Sequence, residues 1–376
     1  MFDRAQWFLA GMSIALSVQL SQPVAAAVPV GKAVQTAQTN SNEAAEKALE
    51  EGGQLYQQGT AQAKRGALTK WEEALKLYRQ AGNNRGQAFS LLGIGRFYND
   101  LGEKQKALEY FGQSLPLSQA VGDRDLEAIT LTSLGRVYSE LGEKQKALEY
   151  YSLSIPLLRA VGERGGEAAI LSNIGTLYSE LGEKQKALEY YNQSLPLRRA
   201  MGERALEATI LSNIGSIYSE LGEKQKALEY YSQSLPLLRA VGDRSGEALT
   251  LNNLGLVYSA LGEKQKALEY YSQSLPLSRA VGDRSGEALT LNNIGGVYSA
   301  LGEKQKALEY YSQSLPLSRA VGDRRGEATT LNNIGGVYSE LGERQKALEY
   351  FSQSLSLGRV LGERFVEAMT LNNTGR

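Results

Sequence analysis

The phrase LGEKQKALEY begins at Leu101, Leu141, Leu181, Leu221, Leu261 and Leu301, and returns as LGERQKALEY at Leu341, always at a spacing of 40 residues. The units at 261–300 and 301–340 differ at only three places: Ser285 against Arg325, Leu289 against Thr329, and Ala300 against Glu340. A fixed period in this range belongs to stacked supersecondary units, each touching its neighbours, and not to a single closed core.

Each unit reads as two helices. In the first, running from about Ser245 to Ala260, Leu251, Leu254, Gly255 and Tyr258 stand at i, i+3, i+4 and i+7, one apolar stripe at the helical period. Gly262 follows where a left-handed cap favours glycine, and Glu263 opens the second helix at its positive dipole end. Ala267, Leu268, Tyr271, Leu275 and Leu277 carry the second apolar face, and Gly282-Asp283 supplies a stop and a new start. Neither helix can bury its face alone, so the expectation is an all-α fold, an α-solenoid of stacked antiparallel hairpins. Small Gly255 and Ala267 allow close approach, while the tyrosines fill the core.

Pro116, Pro156, Pro196, Pro236, Pro276 and Pro316 fall inside the second helix, with Ser356 in that place later. Each removes one backbone donor, so a kink without a break is expected. Upstream, Ala67, Trp71 and Gly82 stand 40 residues before Ala107, Phe111 and Gly122, marking a divergent first hairpin over about Glu43–Ala81. The array is therefore expected over 43–376, as about eight hairpins and a partial ninth first helix from near Arg364. There Leu371–Gly375 tracks Leu331–Gly335 and the pattern then breaks off, so the chain is expected to be part of a longer one.

The N-terminus reads as an export signal over 1–27. A short polar start with Arg4 and Asp3 precedes an apolar run from Trp7 to Leu20, then Ala25-Ala26-Ala27 offers a cleavage site. The run is shorter than the roughly 20 residues that span a bilayer. The mature chain is thus expected outside the cytoplasm, periplasmic or extracellular, with no stable membrane insertion. Residues 28–42, polar and small, read as a flexible linker.

Composition narrows the chemistry. The chain has 41 basic and 41 acidic side chains, so it lacks the excess charge of a general nucleic-acid binder. It has no cysteine and no histidine, which removes thiolate nucleophiles, disulfides, Cys/His zinc sites and imidazole bases. No spacing suits a phosphate loop or a metal. The expectation is a non-enzyme without cofactor.

The pattern Asn253-Leu254-Gly255-x-x-Tyr258, Gly262, then Ala267-Leu268-x-x-Tyr271 resembles the tetratricopeptide repeat. The 40-residue period is similar to the long repeats of kinesin light chain and the LGN/Pins adaptors. That resemblance implies a right-handed superhelix whose concave groove, lined by first helices, holds extended peptides or partner proteins. In bacterial relatives such arrays precede a catalytic or signalling domain, which makes the sensor half of a longer protein the alternative reading.

Helical geometry selects the groove column independently. At 100° per residue, Leu249, Asn253, Leu256 and Ala260 oppose the stripe of Leu251, Leu254 and Tyr258. The column through Asn253 includes Asn173, Asn213, Asn293 and Asn333, and amides in a row suit the backbone of an extended peptide. The resemblance implies the same, since similar asparagines in the long-repeat adaptors contact ligand main chain; bonding to the next repeat is the plainer alternative. Leu249, Leu256 and Leu289 form an apolar strip, a binding site if exposed. Farther upstream Arg96, Arg136, Asp100, Glu140 and Glu180 make the column acidic with a few arginines. Lys264 and Lys266 are expected on a solvated outer face. Near-identical units also allow self-association.

Overall fold

A computed structural model describes residues 29–361 of the chain. Within them, eight helix hairpins follow one another: Pro29–Gln57 with Ala61–Ala81, Asn84–Asp100 with Lys104–Ala120, Arg124–Glu140 with Lys144–Val161, Arg164–Glu180 with Lys184–Ala200, Arg204–Glu220 with Lys224–Val241, Arg244–Ala260 with Lys264–Ala280, Arg284–Ala300 with Lys304–Ala320, and Arg324–Glu340 with Arg344–Leu361. We number them hairpins one to eight. The described residues contain no strand, and the architecture is an all-α solenoid. Two compact units divide between Ser194 and Leu195, within the second helix of hairpin four. The expected export signal and the partial ninth unit lie outside the described residues.

One expectation is corrected at the N-terminal end. The segment read as a linker over 28–42 is helical from Pro29, and the first helix of hairpin one is 29 residues long. Proline at the first helical position costs no hydrogen bond and presets φ, and the alanines, lysines and glutamates beyond it are good helix formers.

Hairpin closure rests on a tyrosine seated on a glycine. A Cβ built on Gly255 would stand 2.5 Å from the Tyr271 ring, and one on Gly295 2.7 Å from the Tyr311 ring. The same pairing joins Gly135 to Tyr151, Gly215 to Tyr231 and, with phenylalanine, Gly335 to Phe351. Only hydrogen at that position lets the ring pack flat on the first helix. The core then continues into the next hairpin. Ala267 and Tyr271 cluster with Ile294 and Val297, while Ala307 and Tyr311 cluster with Ile334 and Val337.

Polar groups pin the same contacts. Ser274 Oγ donates to the Ala248 carbonyl at 2.8 Å, and Ser314 Oγ to that of Ala288 at 2.7 Å. Between hairpins, Arg239 meets Glu247 at 2.6 Å and Arg279 meets Glu287 at 2.6 Å. Here a cation ending one helix faces an anion opening the next, as both helix dipoles favour. The second helices continue through their prolines, from Lys264 to Ala280 across Pro276 for example. The left-handed glycines fall where expected, Gly262 at φ +82° and Gly282 at φ +72°.

The tyrosines divide into two classes, which the sequence reading had merged. Tyr271 and its equivalents are core, but Tyr258 stacks on Tyr270 at 5.2 Å and Tyr298 on Tyr310 at 5.4 Å. Lys266 lies 5.2 Å from the Tyr258 ring and 2.5 Å from Glu263. The outer face is solvated as expected, yet its lysines are held by ring and carboxylate together.

Candidate partner-binding site

In hairpins six and seven the first-helix column exposes leucines. Leu249 is 56% exposed, Leu256 47% and Leu289 46%, where a helix in a packed array has no need of leucine. Gly296 and Gly336 lie on the Leu256 column. A Cβ on Gly296 would come no closer than 3.7 Å to anything, at the Tyr311 hydroxyl, and one on Gly336 would meet nothing within 4 Å. Packing therefore does not demand glycine at either place, in contrast to Gly295 and Gly335 beside them.

The asparagine column has a double placement. Asn173 is exposed, while Asn213, Asn253, Asn293 and Asn333 are half-buried. Asn293 Nδ2 donates to Asn252 Oδ1 at 3.1 Å and Asn333 Nδ2 to Asn292 Oδ1 at 3.2 Å. The same acceptors take Thr290 Oγ1 at 3.3 Å and Thr330 Oγ1 at 3.2 Å. Asn173 is hydrogen-bonded to the Tyr151 hydroxyl and Asn253 to that of Tyr231. Asn213 is engaged as well. Asn173, Asn253, Asn293 and Asn333 thus bind repeat to repeat. Sequence reasoning missed Asn252 and Asn292 as acceptors; the Asn-Asn doublets that begin at Asn252, where hairpins four and five have Ser172 and Ser212, were the available signal.

The upstream part of the column is not the acidic surface expected. Asp100 accepts from the Tyr56 hydroxyl at 2.6 Å and pairs with Lys64 at 2.7 Å. Glu140 is paired with Lys104, and Glu180 with Lys144 at 2.9 Å. Each of these carboxylates at a first-helix end is met by a lysine from the preceding hairpin, so the column is a row of surface ion pairs and not a free acidic face. Arg96 stands over the Tyr56 ring at 5.6 Å, and burial holds its guanidinium below the usual arginine range. Burial and the neighbouring Asp100 push the Tyr56 phenol up to about 12.

Among the described residues no helix is long and apolar enough to cross a membrane, and no group of three or more acidic side chains is arranged to hold a metal ion.

Stacked two-helix units with glycine–tyrosine closure and an open first-helix face define a helical repeat protein of the kind that presents a surface to partners. The chain belongs to the tetratricopeptide repeat family: one tetratricopeptide repeat profile matches residues 86–160, 206–280 and 286–359, and a second matches 168–200. No curated protein matches its sequence. Among solved structures, the apo form of RapI is 19% identical with a TM-score of 0.59, over 74% of this chain and 99% of that one. The apo quorum sensor NprR from B. thuringiensis is 19% identical with a TM-score of 0.63, over 83% and 87%. A STAND signal-transduction ATPase with a tetratricopeptide repeat sensor, from Pyrococcus horikoshii, is 16% identical with a TM-score of 0.64, over 88% of this chain and 55% of that one. At these identities the likeness is one of fold.

Proposed function

We propose that this chain is a non-catalytic interaction scaffold that holds an extended peptide, or such a segment of a partner protein, on the first-helix face of hairpins five to eight. The observation that carries the reading is the exposed strip of Leu249, Leu256 and Leu289 beside the open Gly296 and Gly336. Exposed apolar strips rimmed by polar groups mark binding surfaces. Family membership supports the same reading, as does the fold shared with a quorum sensor. The half-buried amides of Asn253, Asn293 and Asn333 would meet the peptide main chain beside the strip.

The test uses dodecapeptides selected on the wild-type chain from a random library. Leu249→Asp, Leu256→Asp and Leu289→Asp are expected to fold, since exposed substitutions typically shift stability within about 0.5 kcal/mol. They should weaken the selected peptides at least about tenfold, because an aspartate desolvated against an apolar ligand has no partner. Unchanged affinity in these variants, with loss in Lys266→Ala and Lys306→Ala, would move the site to the outer face. Replacing the four amides Asn213, Asn253, Asn293 and Asn333 by alanine is the weaker test, because they also join repeats.

Export forms part of the proposal and rests on the apolar run Trp7–Leu20 followed by Ala25-Ala26-Ala27. N-terminal sequencing of the mature protein should then begin near Val28, and an intact Met1 on a cytoplasmic species would refute it.

A further inference from the structure

The core tyrosine hydroxyls are not treated alike along the array. In hairpin four the Tyr191 hydroxyl is 2.9 Å from Thr176 Oγ1, and in hairpin five the Tyr231 hydroxyl is hydrogen-bonded to Ser216 and Asn253. In each case the partner on the tyrosine's own hairpin stands on the column that continues through Leu256, Gly296 and Gly336. In hairpins six and seven both kinds of partner are gone. Leu256 and Gly296 replace the serine or threonine and offer no hydroxyl. Asn293 and Asn333, which by repeat register should reach Tyr271 and Tyr311, donate to Asn252 and Asn292.

Tyr271 and Tyr311 are therefore 1% and 2% exposed, with rings seated on Gly255 and Gly295 and hydroxyls left at the floor of the open face. Burial raises both phenols above the ordinary tyrosine range, with no hydrogen bond from the chain contributing. Gly296 stands over Tyr311, its Cβ position 3.7 Å from the hydroxyl. Neither hydroxyl is among the described buried polar atoms left without a partner, so each still reaches the open face, where it can meet an acceptor the chain does not supply. In hairpin eight the release goes one step further, since Phe351 takes the tyrosine's place and has no hydroxyl to satisfy.

We infer that the hydroxyls of Tyr271 and Tyr311 are hydrogen-bond donors to backbone carbonyls of an extended peptide lying over Leu256, Gly296 and Gly336. This rests on the scaffold reading above and deepens it by naming what the floor of the site recognises. At Tyr311 a main-chain acceptor fits because Gly296 leaves room for another backbone to approach. Side chains of the ligand are then free to meet Leu249, Leu256 and Leu289.

Phenylalanine already fills this position over Gly95 and Gly335, so Tyr271→Phe and Tyr311→Phe keep a ring the fold accepts. With the dodecapeptides selected on the wild-type chain, the double variant is expected to melt at the wild-type temperature or above. Its affinity for those peptides should fall by about tenfold, as for the loss of donors facing a desolvated acceptor. Tyr231→Phe should do the opposite, melting lower because Ser216 and Asn253 lose their partner, with affinity unchanged. Alanine replacement along the peptide should leave the tyrosine effect in place. Loss of that effect on replacing one acidic residue would assign the acceptor to a carboxylate and overturn the inference. Wild-type affinity in the Tyr271→Phe/Tyr311→Phe variant, with loss in Leu256→Asp, would overturn it while leaving the scaffold reading standing. Peptides indifferent to Leu256→Asp would overturn both.

Discussion

Adjacent glycines in this array should respond to alanine with opposite signs. Gly295 and Gly296 are both interior to the helix Arg284–Ala300, so alanine at either should gain about 1 kcal/mol from helix propensity. At Gly296 nothing offsets that gain, because the nearest atom to a new Cβ is 3.7 Å away, an ordinary contact. At Gly295 the methyl would lie 2.7 Å from two ring carbons of Tyr311, a side chain 2% exposed with nowhere to move. Overpacking of this sort costs about 1–3 kcal/mol, so the net effect is a loss of up to about 2 kcal/mol after the propensity gain. The pair Gly335 and Gly336 repeats the experiment: 2.7 Å to Phe351 for one, and nothing within 4 Å for the other. Urea unfolding followed by circular dichroism should move the midpoint down for Gly295→Ala and Gly335→Ala, and up for Gly296→Ala and Gly336→Ala. A nearest-neighbour treatment of the repeats is needed to turn midpoints into energies, since an array of hairpins need not unfold in one step. The stabilised pair should also bind the selected peptides more weakly, as the methyl occupies space left for the ligand backbone. Midpoints of the same sign within either pair would refute the packing argument. Stabilised variants with undiminished affinity would refute the role given to the open glycines.

Three further outcomes follow from single features. Thr132 Oγ1 is buried without a hydrogen bond, and the register in which Asn252 meets Thr290 places Ile170 opposite it; Thr132→Val should raise stability by about 1 kcal/mol in thermal unfolding, and a loss would mean the hydroxyl has a partner. Asp243 Oδ1 caps its helix through Gly246 N at 2.9 Å while Glu163 makes no such bond, so Glu163→Asp should add about 0.5–1 kcal/mol, and no gain would show the longer carboxylate to be equivalent. Tyr56, Tyr151, Tyr231 and Tyr311 are raised from 10.0 to about 12, so their contribution should be intact below pH 10 and lost as pH climbs through 12. Phenolate absorbance should then rise together with loss of helix, and ionisation of these groups near pH 10 in a folded chain would contradict the burial.

The hairpins were legible because packing writes itself into sequence at a fixed period. Gly255, Ala267 and Tyr271 recur every 40 residues since one ring needs one glycine, and the turn glycines recur since each turn needs a positive φ. The first helix was less legible. Residues 28–42 lack an apolar stripe, and the eye reads their Thr, Gln and Asn as linker, although Pro29 and the alanines suffice to start and carry a helix. The amide column was read as facing away from the hairpin core, yet four of its members are half-buried, and its bonds to the neighbouring repeat join residues 38 and 41 positions apart. Such contacts cross from one unit to its neighbour and recur at the same 40-residue period, so the period alone does not tell them from contacts within a hairpin. The charge reading failed for a related reason: Asp100 and Glu140 look free along their own helix and are neutralised by Lys64 and Lys104 from the helix before.

Near-identity of the units sharpens the question of where specificity resides. Units 261–300 and 301–340 share every residue that closes a hairpin, and differ at three positions. All three lie on first helices, and Ser285, Leu289 and Ala300 are exposed, so the fold places no demand on them. Leu289 against Thr329 alters the apolar strip directly. Ala300 against Glu340 changes how the lysine of the preceding hairpin is held: Lys264 donates to the Ala300 carbonyl, whereas Lys304 pairs with the Glu340 carboxylate. The carboxylate at 340 is thus taken up by the lysine of the hairpin before it, as at Glu140 and Glu180. Across hairpins five to eight the Leu256 column runs Ser216, Leu256, Gly296, Gly336, going from a hydroxyl that seals a tyrosine to a bare backbone that uncovers one. A scaffold whose packing residues are held constant can vary its reading of a ligand only on such columns. The dodecapeptides selected on this chain should accordingly lose affinity when Thr329 is made leucine or Gly296 serine, and keep it when Lys306 or Glu309 on the outer face is replaced.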